Sequence, residues 1–244
     1  MQNASSLDVE ENGRGQYLSR ADSLWELFVG LENIRLTSIY PRSAVVFAQG
    51  QSPEGVYLLR AGRAKVSLSS AQGKTIILRV VQAGAVLGVN SVLKDVPYDV
   101  SVETLERSRI DFVSRSDFMR VLEKSESTRP GVAHLLADEL SDMVEQLRSL
   151  LLSQSAAEKL ARLLLRWSDQ QVDTARAESR LNLGLTHEEI AQMICASRET
   201  VTRLFAELRR KQIVRFANGT IVVRDRNALE LLARYREISE TSSA

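Results

Sequence analysis

The chain has 244 residues, of which 44% are hydrophobic and 26% charged, and its formal net charge is +1. This is the mixture of a globular protein with room for one large domain or two smaller ones, and it excludes disorder along the whole chain. A single cysteine, Cys195, and two histidines, His134 and His187, exclude an intrachain disulfide, an iron–sulfur cluster and a Cys-based zinc site, and argue against a multi-histidine metal enzyme. No metal and no cofactor is expected. No apolar run approaches the roughly 18 residues of a membrane helix, and the polar, acidic start Met1–Gln16 lacks the apolar core of a secretory signal. The expected compartment is therefore the cytoplasm, with no membrane partner.

The charge is unevenly spread. Residues 1–152 carry 17 basic and 19 acidic side chains, and residues 153–244 carry 15 and 12. The stretch 197–226 holds Arg198, Arg203, Arg209, Arg210, Lys211, Arg215, Arg224 and Arg226 against Glu199, Glu207 and Asp225. Such a cluster is an electrostatic footprint for a polyanion, and arginine is the better fork for phosphate and guanine.

In chain order, residues 1–22 read as a flexible tail. Ser23–Arg35 reads as a short helix with Trp25, Leu27, Phe28 and Leu31 on its apolar face and Asp22 or Ser23 as its cap. From Ile39 to Val113 the texture changes to short runs rich in Val, Ile and Leu. They are Val45–Phe47, Val56–Leu59, Ala64–Leu68, Thr75–Val81, Val86–Val89, Val100–Val102 and Ile110–Val113, separated by glycines and prolines. Such spacing predicts an all-β sandwich or barrel, with Gln72-Gly73 at a hairpin tip.

A helical stretch follows. Ser116–Glu123 is a first short piece, and Pro130 suits the first turn of the next helix. From there Ala133, Leu136, Leu140, Met143, Leu147 and Leu150 recur at spacings of 3, 4, 3, 4, 3, the a/d seam of a two-helix coiled coil. The seam predicts a dimer. Leu135, Val144 and Leu151 flank it and are expected to cover a second surface such as the β-domain. Ser153-Gln154-Ser155 breaks the pattern, Leu152–Ser155 reads as a hinge, and Ser155-Ala156-Ala157-Glu158 is a capping box opening a new helix. The expected domains are a β-roll over 23–129, a dimerisation helix over 130–152 and a C-terminal domain over 153–244. Asp169–Ser179 reads as a polar loop.

Function is written most clearly after Leu185. Thr186-His187-Glu188-Glu189 is a second capping box, and it opens a helix to Ile194. Cys195-Ala196-Ser197 makes a tight turn, and Ser197 caps a helix over Arg198–Lys211 whose inner face is Val201, Leu204, Phe205 and Leu208. Two short helices joined by a three-residue turn form a helix-turn-helix. Ile213–Phe216 and Thr220–Arg224, joined at Asn218-Gly219, add a hairpin wing with a type I′ turn. The second helix of such a motif enters the major groove of double-stranded DNA. Ser197, Arg198, Glu199, Thr200, Thr202 and Arg203 stand at its start, where arginine reads guanine and glutamate accepts from cytosine. Lys211 and Arg215, at the far helix end and on the wing, suit phosphates.

The run Thr186–Leu204, and Ser-Arg-Glu-Thr-Val-Thr-Arg within it, resembles the helix-turn-helix of the CRP/FNR superfamily of bacterial transcription regulators, and in particular its cAMP-receptor branch. The resemblance covers nearly the whole chain and implies an α+β fold: an N-terminal jelly-roll β-roll, a long dimerisation helix and a C-terminal winged helix-turn-helix. It implies that Arg198, Glu199 and Arg203 read a TGTGA half-site, and that RNA polymerase is a partner. It also implies a cyclic-nucleotide pocket around Leu87, Gly88, Val89, Asn90, Tyr98 and Asp99. The family's ribose-binding glutamate and phosphate-binding arginine have no counterpart there, because Gly84–Glu103 contains no arginine and Asp99 repels an anion. The regulator is therefore expected not to answer to cAMP through this pocket. A sensor of an unidentified small effector, or of a cyclic nucleotide bound in an atypical mode, is the alternative, and a small-molecule-binding or enzymatic β-barrel is a remote third.

Overall fold

The computed structural model describes residues 35–126, 128–153, 155–170, 179–181, 184–217 and 220–234. The tail and the helix body expected before Arg35 lie outside these residues, as do the Asn218-Gly219 turn and positions 171–178 of the polar loop.

Among the described residues eight strands build the N-terminal domain: β1 (Arg35–Tyr40), β2 (Val45–Phe47), β3 (Gly55–Ala61), β4 (Arg63–Ser69), β5 (Thr75–Gln82), β6 (Val86–Leu87), β7 (Ser101–Thr104) and β8 (Ser108–Ser114). They form two antiparallel four-stranded sheets, ordered β1-β8-β3-β6 and β2-β7-β4-β5. Period-two alternation divides β3 between two cores. Tyr57 and Leu59 face the inter-sheet core with Phe47, Val66, Leu87, Tyr98, Val102 and Ile110. Val56 and Leu58 face outward, where Val86, Val113, Phe118 and Val132 cover them. The strand β1 is an addition to the sequence reading. Its Leu36 and Ile39 are exposed, and it is tied to β8 by the ladder and by Thr37 Oγ1, which donates to Asp111 Oδ1 at 2.7 Å.

The run expected as one strand over Val86–Val89 is corrected. It divides at Gly88, whose φ of 84° lies in the left-handed region. Helix α1 (Val89–Lys94) follows at once. A Cβ at Gly88 would also stand 3.0 Å from the Tyr98 ring, so both the turn and the close approach require glycine.

Helix α2 (Arg115–Lys124) is capped by Ser114, which accepts from the Asp117 amide. Helix α3 (Thr128–Leu152) is the long helix. Its first turns pack on the β-roll through Val132, Leu135 and Leu136. Farther along it is inside out: Gln146 and Ser149 are buried, while Leu140 (62%), Met143 (53%), Val144 (48%), Leu147 (49%) and Leu151 (76%) are exposed. The flanking stripe therefore divides: Leu135 meets the β-roll as expected, whereas Val144 and Leu151 do not.

Helix α4 (Ala156–Gln170) opens with the Glu158 amide donating to Ser155 Oγ at 3.1 Å. Strand β9 (Ser179–Leu181), helix α5 (His187–Ile194), helix α6 (Arg198–Arg210), strands β10 (Val214–Ala217) and β11 (Thr220–Val223), and helix α7 (Arg226–Arg234) follow among the described residues. A three-stranded sheet runs β10-β11-β9, so Ser179 opens a strand rather than closing the expected loop. The core of this C-terminal head includes Leu160, Leu164, Trp167, Ile190, Ile194, Val201, Phe205, Leu208 and Leu229. It also takes in Ile77 of β5, only 1% exposed, with Val80 beside it. The head is thus docked on the β4–β5 hairpin.

Candidate nucleic-acid interface

Helices α5 and α6 are each capped at their N-terminus, and a backbone bond closes the turn between them. Thr186 accepts from the Glu189 amide while Glu189 Oε2 accepts from the Thr186 amide at 2.8 Å, the reciprocal capping box. Cys195, at φ 52°, turns the chain through the left-handed region, and the Ala196 amide returns to Ala191 O at 3.0 Å. Ser197 then caps α6 by accepting from the Thr200 amide at 3.2 Å, and its hydroxyl also meets Thr200 Oγ1 at 3.1 Å. Val201, Phe205 and Leu208 are buried, which leaves Arg198, Glu199, Thr202 and Arg203 on the exposed side of the first turns.

The structure therefore brings together four of the six residues singled out at the helix start as a solvent-facing row, and uses Ser197 and Thr200 for the cap. The amide of Glu199 itself and the Ser197 hydroxyl hold the Glu199 carboxyl below the ordinary carboxylate range. It stays an ionised acceptor at the positive end of the helix. At the far end Lys211 Nζ lies 2.8 Å from Glu207 Oε1. Arg215, opposite Val222 on the wing, is half-buried. Arg198 and Arg203 thus stand exposed, whereas Lys211 is already in an exposed ion pair.

A chain of rings crosses the motif. His187 of α5 stacks on Phe205 of α6 with centroids 5.2 Å apart, and Phe205 meets Phe216 of β10 edge-on at 5.4 Å. His187 also reaches Thr202, with Nδ1 2.9 Å from Oγ1. The sequence carried no signal for this contact, because the two residues lie on different elements.

Polar contacts join the head to the rest of the chain. Lys65 Nζ lies 2.8 Å from Glu189 Oε1 and 3.1 Å from Glu103 Oε1. Burial pulls the Lys65 ammonium down, but hydrogen bonds to both glutamates outweigh it and hold its pKa above the ordinary lysine value. Burial likewise raises Glu189, and the bonds from Lys65 and the Thr186 amide overcome it, so that this carboxyl titrates below its usual range. Arg79 of β5 pairs with Glu139 of α3. Gln146 of α3 donates to Met193 O at 3.3 Å and accepts from Arg166 at 3.0 Å.

The residues singled out for an effector sit differently. Leu87, Val89 and Tyr98 are core side chains, each 3% exposed or less. Tyr98 stacks on Phe47 at 4.1 Å, donates to Gly55 O at 2.6 Å and accepts from the Gly55 amide at 3.2 Å. Asn90 donates to Asp99 Oδ2 at 3.0 Å near the surface. His134 is exposed on α3. Among the described residues no group of three His, Cys, Asp or Glu side chains is placed to hold a metal, and no helix is long and apolar enough to cross a membrane.

Comparison with known proteins agrees with this architecture. The model of the cyclic nucleotide-binding domain matches residues 38–125, and that of the Crp-like helix-turn-helix domain matches residues 158–232. The chain is 26% identical over 195 residues to the cyclic AMP receptor protein of Thermus thermophilus, covering 80% of this chain and 87% of that one. It is 23% identical over 206 residues to the anaerobic regulatory protein of Bacillus subtilis, covering 84% and 86%. Among solved structures, FixK2 from Bradyrhizobium japonicum superposes with a TM-score of 0.71 at 20% identity, over 82% of this chain and 97% of that one.

Proposed function

The chain belongs to the CRP/FNR superfamily of DNA-binding transcription regulators, and we propose that it acts as a homodimer on a palindromic TGTGA-N6-TCACA-like site in the cytoplasm, without control by cAMP through the usual pocket. Its matched relatives carry the names of regulators, not of enzymes. In this reading residues 23–129 are the sensor-derived β-roll, 130–152 the dimer helix and 153–244 the DNA reader.

The observation that carries the reading is the exposed row Arg198, Glu199 and Arg203 at the start of a capped helix. Its two forks and one ionised acceptor complement G·C pairs in the major groove. Dimerisation is supported by the inside-out second half of α3. A helix that buries Gln146 and exposes Leu140, Met143 and Leu147 is incomplete in water and is completed by a second copy through Ala133, Leu136, Leu140, Met143, Leu147 and Leu150. A two-fold pair of heads then meets two half-sites about one helical turn apart. Lys211 and Arg215 flank the reader as phosphate contacts, and RNA polymerase is the partner at the promoter.

Loss of cAMP control is supported by Tyr98. A buried cyclic phosphate needs charge-assisted donors; Gly84–Glu103 offers no arginine, and Tyr98 turns its hydroxyl to Gly55. Leu87, Gly88, Val89, Asn90, Tyr98 and Asp99 act here as core and turn residues.

The test is fluorescence anisotropy of the ligand-free protein on a TGTGA-N6-TCACA duplex, at fixed near-physiological salt and against a scrambled competitor. The expected Kd is on the order of 10⁻⁸ M or lower, unchanged by cAMP. Binding no tighter than to the scrambled duplex overturns the half-site, and a cAMP-dependent gain in affinity overturns the closed pocket.

A further inference from the structure

The hydroxyl of Thr202 is held from two sides. Thr202 Oγ1 donates to Arg198 O at 2.9 Å, and it lies 2.9 Å from His187 Nδ1. A hydroxyl has one proton and two lone pairs. Because that proton is spent on the Arg198 carbonyl, the contact with His187 is a hydrogen bond only if Nδ1 carries a proton and donates. The opposite assignment leaves two oxygens facing each other at 2.9 Å with no proton between them. The stack on Phe205 at 5.2 Å and 20° fixes the plane of the imidazole, and of the two ring orientations in that plane the contact with Thr202 selects the one that puts Nδ1 at the hydroxyl. One lone pair and the γ-methyl of Thr202 remain, on the exposed side of α6 between Arg198 and Arg203.

We infer that Thr202 is a specificity-determining residue that reads DNA as an acceptor only, and that His187 is its positioning residue. The group it takes is the exocyclic amino group of cytosine (N4) or adenine (N6) in the major groove. The same lone pair repels guanine O6 and thymine O4, so the hydroxyl discriminates by rejection as well as by attraction. A threonine free to rotate accepts or donates and distinguishes bases weakly. This one has no proton left to offer. The inference rests on the proposal that the start of α6 enters the groove, and it adds a second acceptor to the row in which Glu199 is the first.

Binding-site selection from a random-sequence pool, with the full-length protein, tests it. Four variants are compared with the parent: Thr202→Val, which keeps the branch and methyl but loses the oxygen; His187→Phe, which keeps the stack but loses the donor; His187→Gln, which restores an N–H; and Arg198→Ala. Thr202→Val is expected to lower the preference for an amino-bearing base at one position of the half-site by about tenfold, with the other positions unchanged. His187→Phe is expected to blur the same position by a smaller factor, and His187→Gln to sharpen it again. Melting temperatures of all four serve as the check on folding. If Arg198→Ala changes the selected sequence and Thr202→Val does not, the acceptor role is overturned. If His187→Phe weakens binding equally on every sequence, the positioning role is overturned. If neither Arg198→Ala nor Thr202→Val alters the selected sequence, the groove-reading role of α6 falls, and this inference with it.

Discussion

The interior of the β-roll and the surface of the helical half treat polar groups in opposite ways. In the roll several polar groups are answered within the domain: Tyr98 by Gly55, Asn90 by Asp99, Arg63 by Glu106 at 2.7 Å. The aromatic rings of Phe47, Tyr57 and Tyr98 lie within 4.1 to 6.5 Å of one another, and Phe112 adds to them at 5.0 Å from Tyr57. In the helical half the buried ring of Phe205, flanked by the half-buried His187 and the exposed Phe216, serves instead as a backing that holds charge outward. Arg198, Glu199 and Arg203 stand in solvent, and the apolar face of α3 stands there with them. The contrast teaches where the molecule expects company. The aromatic rings of the roll pack on one another, whereas an exposed leucine seam and an exposed row of forks each leave free energy to be gained from a partner.

Five perturbations test that contrast, in decreasing order of expected effect. Leu140→Glu with Leu147→Glu puts four like charges at the seam of a dimer. The expected outcome is a monomer by sedimentation velocity, with affinity for the palindrome lowered on the order of 10²-fold or more through loss of avidity. A dimer that survives breaks the seam assignment. Ile77→Ala removes the β-roll side chain that enters the core of the head, at a cost of about 2–4 kcal/mol. Hydrogen exchange is expected to rise in α5, which lies against β5. Arg198→Ala is expected to cost about 1–3 kcal/mol of DNA affinity and to relax one guanine, read by competition with single-base variants. A uniform loss on all sequences would make Arg198 a phosphate contact instead.

Lys65→Ala removes the ammonium shared by Glu103 and Glu189, at a cost of about 1–2 kcal/mol in thermal unfolding. Its pH dependence follows from the direction of the two shifts. The Glu189 carboxyl is lowered in the folded state, so its contribution is present above the unfolded carboxylate value and lost as pH falls through the folded one. The Lys65 ammonium is raised, so its contribution is complete below the unfolded lysine value and lost as pH rises through the folded one. The difference in stability between parent and variant is therefore flat across the neutral range and shrinks only in acid or strong base. A difference that varies steeply near neutrality contradicts the assignment of this pair. Tyr98→Phe removes the bonds to Gly55 and the hydroxyl contact with Tyr57, and keeps the stack on Phe47. Its expected cost is about 1 kcal/mol, measured by denaturant unfolding, with DNA binding unaltered.

Much of this was legible because it is written in local terms. The capping box at Thr186 and Glu189, the Ser197 cap and the periodic Val201, Phe205 and Leu208 depend on neighbours three or four residues away, and the structure keeps all of them. The heptad seam is likewise a periodicity within one helix. The strands of the roll follow from alternation and turn residues, and their ends moved by only one or two positions. Gly88 escaped because a left-handed residue inside an apolar run looks like strand until the Tyr98 ring beside it is known. The strand β1 escaped because its exposed Leu36 and Ile39 do not mark a buried face.

What the sequence by itself determined is therefore most of the elements, the helix-turn-helix and the identity of the side chains exposed at the start of α6. Each depends on short-range spacing and on the chemistry of single residues. Tertiary structure alone decided that Tyr98 closes on Gly55, that Lys65 and Ile77 seat the head on the β4–β5 hairpin, and that His187 pins Thr202. These contacts join residues 15 to 124 positions apart. A hydrogen bond or a buried contact depends on distance in space, which no local pattern along the chain encodes.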